Sequence, residues 1–308
     1  PVVVAMGRGG PPDPEVITSG ELLDPARLLA WSDSGRHAAS DYIEDALTAG
    51  VPTVGAWRAG GGLAGATYFS NYDRAVEQAK RLDPGLLLLE GSGAAIPPAG
   101  AEACVLIVDS GIDPGHLAGY FGLFRLLLAD LVVLTMCEES TALRQLSAVE
   151  DCVRNRPLPS PAVVRTIFRP HPLGDLSGKR TWFATTAGRQ AATVLKRHLE
   201  EAHGARVTGV SHALADRERL RSDLHEARGS EVLAVELKAA AVDVVTKFGI
   251  EHGIEVVYVD NRALAVGPDG SPLPDGEAAV DEHLLAVAHR AQERFSVRPG
   301  EASDNRET

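Results

Sequence analysis

The chain has 308 residues, 44% of them hydrophobic and 23% charged, and carries a net charge of −12 at pH 7. A chain of this length buries ample core in two packed units, and its acidic balance excludes general binding to nucleic acid or to an anionic membrane, since both need a basic surface. A local basic pocket is still compatible with it.

The longest apolar run, LLLADLVVLTMC at 126–137, is interrupted by Asp130 and falls short of the roughly 20 residues that cross a bilayer. No secretory signal is read. Cys104, Cys137 and Cys152 show no C-x-x-C spacing, so a cytoplasmic protein with reduced thiols is expected, with Cys104 and Cys137 in the core. The chain opens on Pro1 and moves directly into a strand pattern, which suggests that something precedes it.

Apolar runs of strand length recur along the first half: VVVAM at 2–6, VPTVGAW at 51–57, LLLLE at 86–90, ACVLIVD at 103–109, LVVLT at 131–135 and PAVVRTIF at 161–168. Continuous apolar strands are buried on both faces, the mark of a parallel sheet covered by helices. Helices are expected between them at 37–50, 72–82, 115–130 and 140–155. The Pro-rich passage FRPHPLGDLSGK at 168–179 is expected to break this series. A second β/α series follows, with strands at 181–187, 205–211, 231–237 and 254–260 and helices at 189–203, 213–228 and 238–253. The predicted layout is an α/β nucleotide- and substrate-binding domain over 1–173, a smaller α/β domain over 174–294 that ends in a helix at 277–294, and a polar, disordered tail over 295–308.

Four glycine- and charge-punctuated loops stand out: MGRGGPP at 6–12, SGRHAASD at 34–41, RAGGGLAG at 58–65 and EGSGAAIPP at 90–98. Glycine lets backbone N–H groups approach an anion closely, and Arg and His supply the countercharge, so phosphate chemistry is expected. A buried strand delivers Glu90 to the carboxyl edge of the sheet, beside the donors of Gly91, Ser92 and Gly93. A carboxylate there suits Mg²⁺, a hard ion that takes oxygen ligands. Arg36 and His37 sit at a helix start, where free N–H groups help to clamp a phosphate, and Asp41 is a second candidate for the metal. Arg8 and Arg58, the latter beside Gly61 and Gly62, are further anion ligands. Each of these features also has an ordinary reading, as a tight turn, a first-turn acid or a surface residue.

Lys238 stands with Glu236 at the strand-to-helix junction of ELKAAAVDVV, where a cation opposes the helix dipole and so calls for a phosphate or an ion pair, the alternative being a surface lysine beside Glu236. Arg169 and His171 in FRPHP are candidates on the same footing. GGGLAG at 60–65 matches the G-x-G-x-x-G spacing, yet it opens no helix directly and has no acidic strand end about 20 residues on, so a dinucleotide site is not read. No Walker A pattern occurs in the chain. GDLSGKR at 174–180 has the wrong spacing and lacks Ser or Thr after Lys179.

Together, VVVAMGRGGPPDPEVI, GRHAASDYIEDAL, AGVPTVG, RAGGGLAG, LLLLEGSGAAIPP, LLLADLVVLTMCEE, TIFRPHPL and VELKAAAVDVV resemble the cyclic 2,3-diphosphoglycerate synthetase family, in the family's order and from Pro1 to about Arg262. The resemblance implies a mostly parallel sheet of P-loop NTPase type, similar to dethiobiotin synthetase. By that similarity VVVAM follows the P-loop helix, and the chain lacks the first strand, the P-loop and any further N-terminal domain. It implies an ATP-dependent ligase that joins the two phosphates of 2,3-bisphosphoglycerate into an intramolecular phosphoanhydride, with the isolated chain inactive if the P-loop is missing. ATP and Mg²⁺ are the implied cofactors. Arg8, Arg36 and His37 are assigned to catalysis. Arg58, Gly61, Gly62, Gly91, Ser92, Gly93 and Lys238 are assigned to phosphate or substrate, and Glu90 and Asp41 to metal. TMCEE, after the strand at 131–135, takes the position where this branch contacts the base. The partners implied are small molecules, with no nucleic acid and no membrane, and a homodimer is open. Two other readings stay beside this one: a phosphometabolite or nucleotide sensor without ligase turnover, and a kinase of a small phosphorylated acid. The smaller domain is read as a lid or a dimerisation unit.

Overall fold

The computed structural model describes residues 1–7, 11–18, 24–34, 41–57, 70–91, 96–138, 143–155, 160–237 and 241–297. The chain forms two compact units, Pro1–Gly100 with Arg169–Arg262, and Ala101–Phe168 with Ala263–Thr308. The fold is α/β, with largely parallel sheets.

In the first unit, β1 (Val2–Gly7) is buried along its whole length. It is followed by the short β2 (Glu15–Ile17), α1 (Pro25–Asp33), α2 (Asp41–Ala49), β3 (Thr53–Trp57), α3 (Tyr72–Lys80) and β4 (Leu87–Leu89). The sheet order is β2-β3-β1-β4, with β1 parallel to both neighbours and β2 antiparallel on the outside. Period-two alternation divides β1 between two cores. Val2, Val4 and Met6 pack with Tyr72, Ala75 and Val76 of α3, whereas Val3 and Ala5 pack with Tyr42, Ile43 and Ala46 of α2. A strand that must satisfy two helical layers has no polar face, which is why VVVAM reads as an unbroken apolar run. Close layering also explains Gly55 of β3, where an added Cβ would lie 2.6 Å from the Tyr42 ring. Neither β2 nor α1 is legible in the apolar pattern. α1 instead depends on local capping, with Pro25 in its first turn and the Asp24 carboxylate accepting from the Ala26 N–H at 2.9 Å.

The second unit contains β5 (Val105–Asp109), α4 (Pro114–Ala118), α5 (Tyr120–Leu128), β6 (Leu131–Thr135), α6 (Leu143–Arg154) and the start of β7 (Ala162–Pro172). β5, β6 and β7 run parallel in that order. The single helix expected over 115–130 is two helices, because Gly119 is extended (φ −72°, ψ 177°) between α4 and α5. Arg165 of β7 forks onto Glu150 of α6 at 2.7 and 3.0 Å, a largely buried bidentate pair. Cys137 is buried, and burial pushes its thiol above the ordinary value; Cys104 is only partly buried and shifts the same way.

The expected Pro-rich break at 168 is corrected, since β7 continues through Pro170 to Pro172 into the first unit. Proline lacks only the donor, and the Pro170 carbonyl still accepts a hydrogen bond. Past it lie β8 (Arg180–Ala184), α7 (Ala192–His203), β9 (Arg206–Ser211), α8 (Arg217–Asp223) with a 3-10 continuation over Leu224–Gly229, β10 (Val232–Glu236), α9 (Val242–His252) and β11 (Glu255–Ala265). The strand order is β11-β10-β8-β9, all parallel. β10 alternates as β1 does. Val232 and Ala234 face Leu195 and Leu199 of α7, while Leu233 and Val235 face Leu220, Val242 and Val245. β11 runs five residues past its expected end at 260.

The last helix, α10 (Gly276–Val297), lies in the second unit and extends three residues beyond the expected 294. It accounts for the acid that interrupts the apolar run before β6. Arg294 donates to both oxygens of Asp130 at 2.8 and 2.9 Å, joined by Arg290 at 3.2 Å and the Cys104 N–H at 3.0 Å. Burial alone would raise the Asp130 pKa, and these bonds outweigh it, so the carboxyl sits below its ordinary range.

His171 of β7 and His198 of α7 both meet His203 edge-on, with ring centroids 5.7 and 5.4 Å apart. Burial, then the charges of His203, Arg169 and His171, pull His198 down from 6.5 to about 4, and burial lowers His203 as well. The folded state therefore binds fewer protons than the unfolded chain between these two pH values. This contribution to stability is complete above pH 6.5 and is lost as the pH falls toward about 4. Chemical denaturation across that window is expected to show a steeper fall in wild type than in His198→Gln, which removes the titrating group.

Candidate functional site

β1, β3 and β4 are adjacent and parallel, so their ends at Gly7, Trp57 and Leu89 lie along one carboxyl edge, where open α/β sheets place ligands. α2 leads back through a short turn at Gly50 into β3, so it starts at the same edge, with Asp41 as its first residue. Three of the four glycine-rich loops thus leave these strand ends, and the fourth precedes α2. Arg8, Arg36, His37, Arg58, Gly61, Gly62, Ser92, Gly93 and Lys238 lie outside the described residues. Topology brings together the chain on either side of all of these except Lys238, which follows β10 instead.

Glu90 directly follows β4, where its N–H donates to the Val4 carbonyl at 2.9 Å. Its side chain is exposed, and its carboxylate has no hydrogen-bond partner among the described residues, leaving its oxygens open to a cation or to water. Gly91 beside it is also exposed. The Tyr72 hydroxyl donates to the second lone pair of the same Val4 carbonyl at 3.3 Å. Burial, and then the negative charge of Glu90, push the Tyr72 pKa far up, so the phenol stays a neutral donor. Among the described residues no three or more His, Cys, Asp or Glu side chains converge as a metal set. A single strand-end carboxylate nevertheless fits Mg²⁺, which keeps several waters and takes its other ligands from substrate phosphates.

Asn71 was not legible as a site residue. It is 7% exposed, its Oδ1 accepts from the Trp57 N–H at 2.7 Å, and its Nδ2 donates to the Pro11 and Pro12 carbonyls at 2.9 and 3.1 Å. One amide therefore ties the end of β3, the chain that follows the Arg8 loop and the start of α3. The only sequence signal is an Asn just ahead of YDRAVEQAK, which reads as an ordinary helix start.

The strand-end pattern recurs elsewhere. After β6, Met136 adopts φ 58°, a left-handed conformation that costs a non-glycine residue roughly 1–2 kcal/mol. The Ser110 hydroxyl donates to its carbonyl at 2.9 Å, and the Cys137 N–H donates to the Thr166 carbonyl at 3.0 Å, holding Met136 and Cys137 at the end of the strand, while Glu139 of TMCEE lies outside the described residues. In the second sheet of the first unit, Glu236 is the buried last residue of β10 and not the opening of a helix. It accepts from the Thr185 hydroxyl at 2.6 Å, the Thr186 N–H at 2.7 Å and the Thr186 hydroxyl at 3.1 Å. An ion pair with Lys238 is therefore not needed to account for its burial.

Asn71→Ala is expected to lower stability in urea denaturation by about 1–2 kcal/mol, since it strands the Trp57 N–H and removes the hydrogen bonds to the Pro11 and Pro12 carbonyls, which water can partly replace. Tyr72→Phe is expected to cost only about 1 kcal/mol, because the Val4 carbonyl keeps the Glu90 N–H.

Two family descriptions match the chain in succession: "Cyclic 2,3-diphosphoglycerate synthetase, P-loop domain" over residues 1–167, and "Cyclic 2,3-diphosphoglycerate synthetase C-terminal domain" over 172–262. The P-loop domain is thus present, although no Walker A pattern occurs in these 308 residues. Among curated relatives, the cyclic 2,3-diphosphoglycerate synthetase of Thermococcus gammatolerans is 45% identical over 288 residues, covering 92% of this chain and 64% of that protein. That of Rubrobacter xylanophilus is 44% identical, covering 91% of this chain and 63% of the relative. That of Methanothermobacter thermautotrophicus is 40% identical, with 97% and 63% covered. The chain thus spans a little under two thirds of the length of these relatives. With the first description alone matching more than half of its residues, the chain belongs to the cyclic 2,3-diphosphoglycerate synthetase family.

Proposed function

We propose that this chain carries the nucleotide- and substrate-binding part of an enzyme that closes 2,3-bisphosphoglycerate into cyclic 2,3-diphosphoglycerate, consuming ATP and releasing ADP and phosphate. The observation that carries the reading is the shared carboxyl edge of β1, β3 and β4, onto which Glu90 and the chain flanking the glycine-rich loops converge, in a member of this family. The finer likeness to dethiobiotin synthetase and the division at about residues 173 and 294 belong to this proposal.

The chemistry sets the requirements. One phosphate of the substrate attacks the γ-phosphorus of ATP, the bond to ADP breaks, and a terminal phosphoryl group is now attached through an anhydride. An oxygen of the other phosphate then attacks the inner phosphorus, the bond to the terminal group breaks, and inorganic phosphate leaves as the ring closes. Both steps bring anions together, so charge neutralisation and positioning dominate over proton transfer. Arg8, Arg36 and His37 serve the reacting phosphates. Arg58, Gly61, Gly62, Gly91, Ser92 and Gly93 hold the substrate, with Lys238 a further phosphate ligand. Glu90, helped by Asp41, holds Mg²⁺, which when bound screens the phosphate charges. The neutral Tyr72 and the Asn71 amide keep the strand ends in register behind them. Cytoplasmic location is part of the same reading. No helix among the described residues is long and apolar enough to cross a membrane.

Phosphorus NMR of the full-length protein with Mg-ATP and 2,3-bisphosphoglycerate is expected to show the cyclic anhydride together with ADP and phosphate. The 308-residue chain alone, having no Walker A pattern, is the control expected to form none. Glu90→Gln in the full-length protein is expected to lower kcat by about 100-fold or more. ADP formed with a linear phosphorylated product would replace the ligase by a kinase. Binding without any turnover would leave a sensor.

A further inference from the structure

α8 and its 3-10 continuation bury Leu220, Leu224 and Ala227 against the second sheet of the first unit. Arg221, His225 and Arg228 each follow one of these by a single residue. Their spacing, four residues from α8 into the 3-10 turn and three within that turn, stays close to the helical repeat, so the three exposed side chains form one stripe. The stripe lines a cleft of about 530 Å³ whose other walls are α9, with Lys247 and Phe248, and α1, with Leu29.

Charge in this cleft is unevenly spent. Arg217 is forked onto Asp243 at 2.8 and 2.5 Å, and Lys247 lies 3.9 Å from Glu251. Arg221 and Arg228 have no acidic partner among the described residues, and Asp33 is the one remaining carboxylate on the wall. In a chain of net charge −12, two guanidinium groups without an acidic partner among the described residues concentrate positive charge along one stripe.

We propose that this cleft is a second binding site, separate from the β1-β3-β4 edge, for a small molecule bearing two or more phosphoryl groups. Guanidinium forks match phosphate oxygens bidentately. From Arg221 to Arg228 the backbone rises roughly 12 Å, so two phosphoryl groups can be gripped at once with His225 between them. Leu29 and Phe248 offer apolar surface to the carbon part, and the volume falls within the usual range for metabolite pockets. α1, which lines the cleft, ends at Asp33, three residues before Arg36 in the sequence. The site therefore suits an effector that reports phosphometabolite or nucleotide level to the catalytic edge.

The test is a titration of the full-length protein with inorganic tripolyphosphate, ATP and 2,3-bisphosphoglycerate in separate arms, followed by the His225 imidazole resonance and by calorimetry. A saturable shift of His225 is expected in at least one arm, and the arm that saturates at the lowest concentration identifies nucleotide or phosphoglycerate as the source. Arg221→Gln with Arg228→Gln is expected to weaken this binding at least about tenfold, with Arg228→Gln alone intermediate, and to leave the melting temperature unchanged because the buried stripe is intact. A His225 signal unmoved by all three probes up to about 10 mM, or a double variant that binds as tightly as wild type, overturns the proposal. Glu90→Gln leaves the His225 shift unchanged, so the second site and the ligase reading fail independently.

Discussion

The parallel pairing of β1 with β3 on one side and β4 on the other is the constraint on which the candidate site depends. Only the central position buries β1 on both faces, with α3 over Val2, Val4 and Met6 and α2 over Val3 and Ala5. The same register, Gly7 opposite Trp57 and Val4 opposite Leu89, ends β3 level with β1 and β4 three residues short of them, all toward one carboxyl edge. Burial and site geometry are thus one requirement. A slip of one residue would turn the apolar set of β1 to the wrong helices and displace Glu90 by a strand step.

Hydrogen bonds at the strand ends convert that alignment into a defined edge. The Val4 carbonyl accepts from both the Glu90 N–H and the Tyr72 hydroxyl, and Asn71 spends its amide on three backbone groups. In the second sheet, Glu236 does the same with Thr185 and Thr186. Buried polar groups that are fully paired specify one arrangement, because every alternative leaves a donor or acceptor stranded. The shared device is a rigid strand end from which a glycine-rich or polar loop departs.

Charge is allotted in a complementary way. The chain is acidic overall, and three of its buried or partly buried carboxylates are held by named partners: Asp130 by Arg290 and Arg294, Glu150 by Arg165, and Glu236 by hydroxyls and an N–H. Glu90, exposed and with no such bonds among the described residues, is left available at the edge. The guanidinium groups of Arg221 and Arg228 are correspondingly open on the cationic side. Both are places where fixed charge has been left for something other than this chain.

Local pattern by itself determined much of this protein. Unbroken apolar runs marked the parallel strands, Glu90 was legible as a strand-end acid, and the block order VVVAM to VELKAAAVDVV carried the family. Capping and proline chemistry were read less well. β7 passes through Pro170, α4 and α5 part at Gly119, and α1 rests on Asp24 and Pro25 without a strong apolar stripe. Tertiary structure alone decided that β1 lies between β3 and β4, that Asn71 reaches Pro11 across 60 residues, and that Glu236 meets Thr185 across 51. The division has a physical basis. Periodicity reports which face of an element is buried, a property of neighbours in the chain, whereas lateral strand order and buried polar pairing are settled only when distant segments compete for the same space and the same hydrogen bonds.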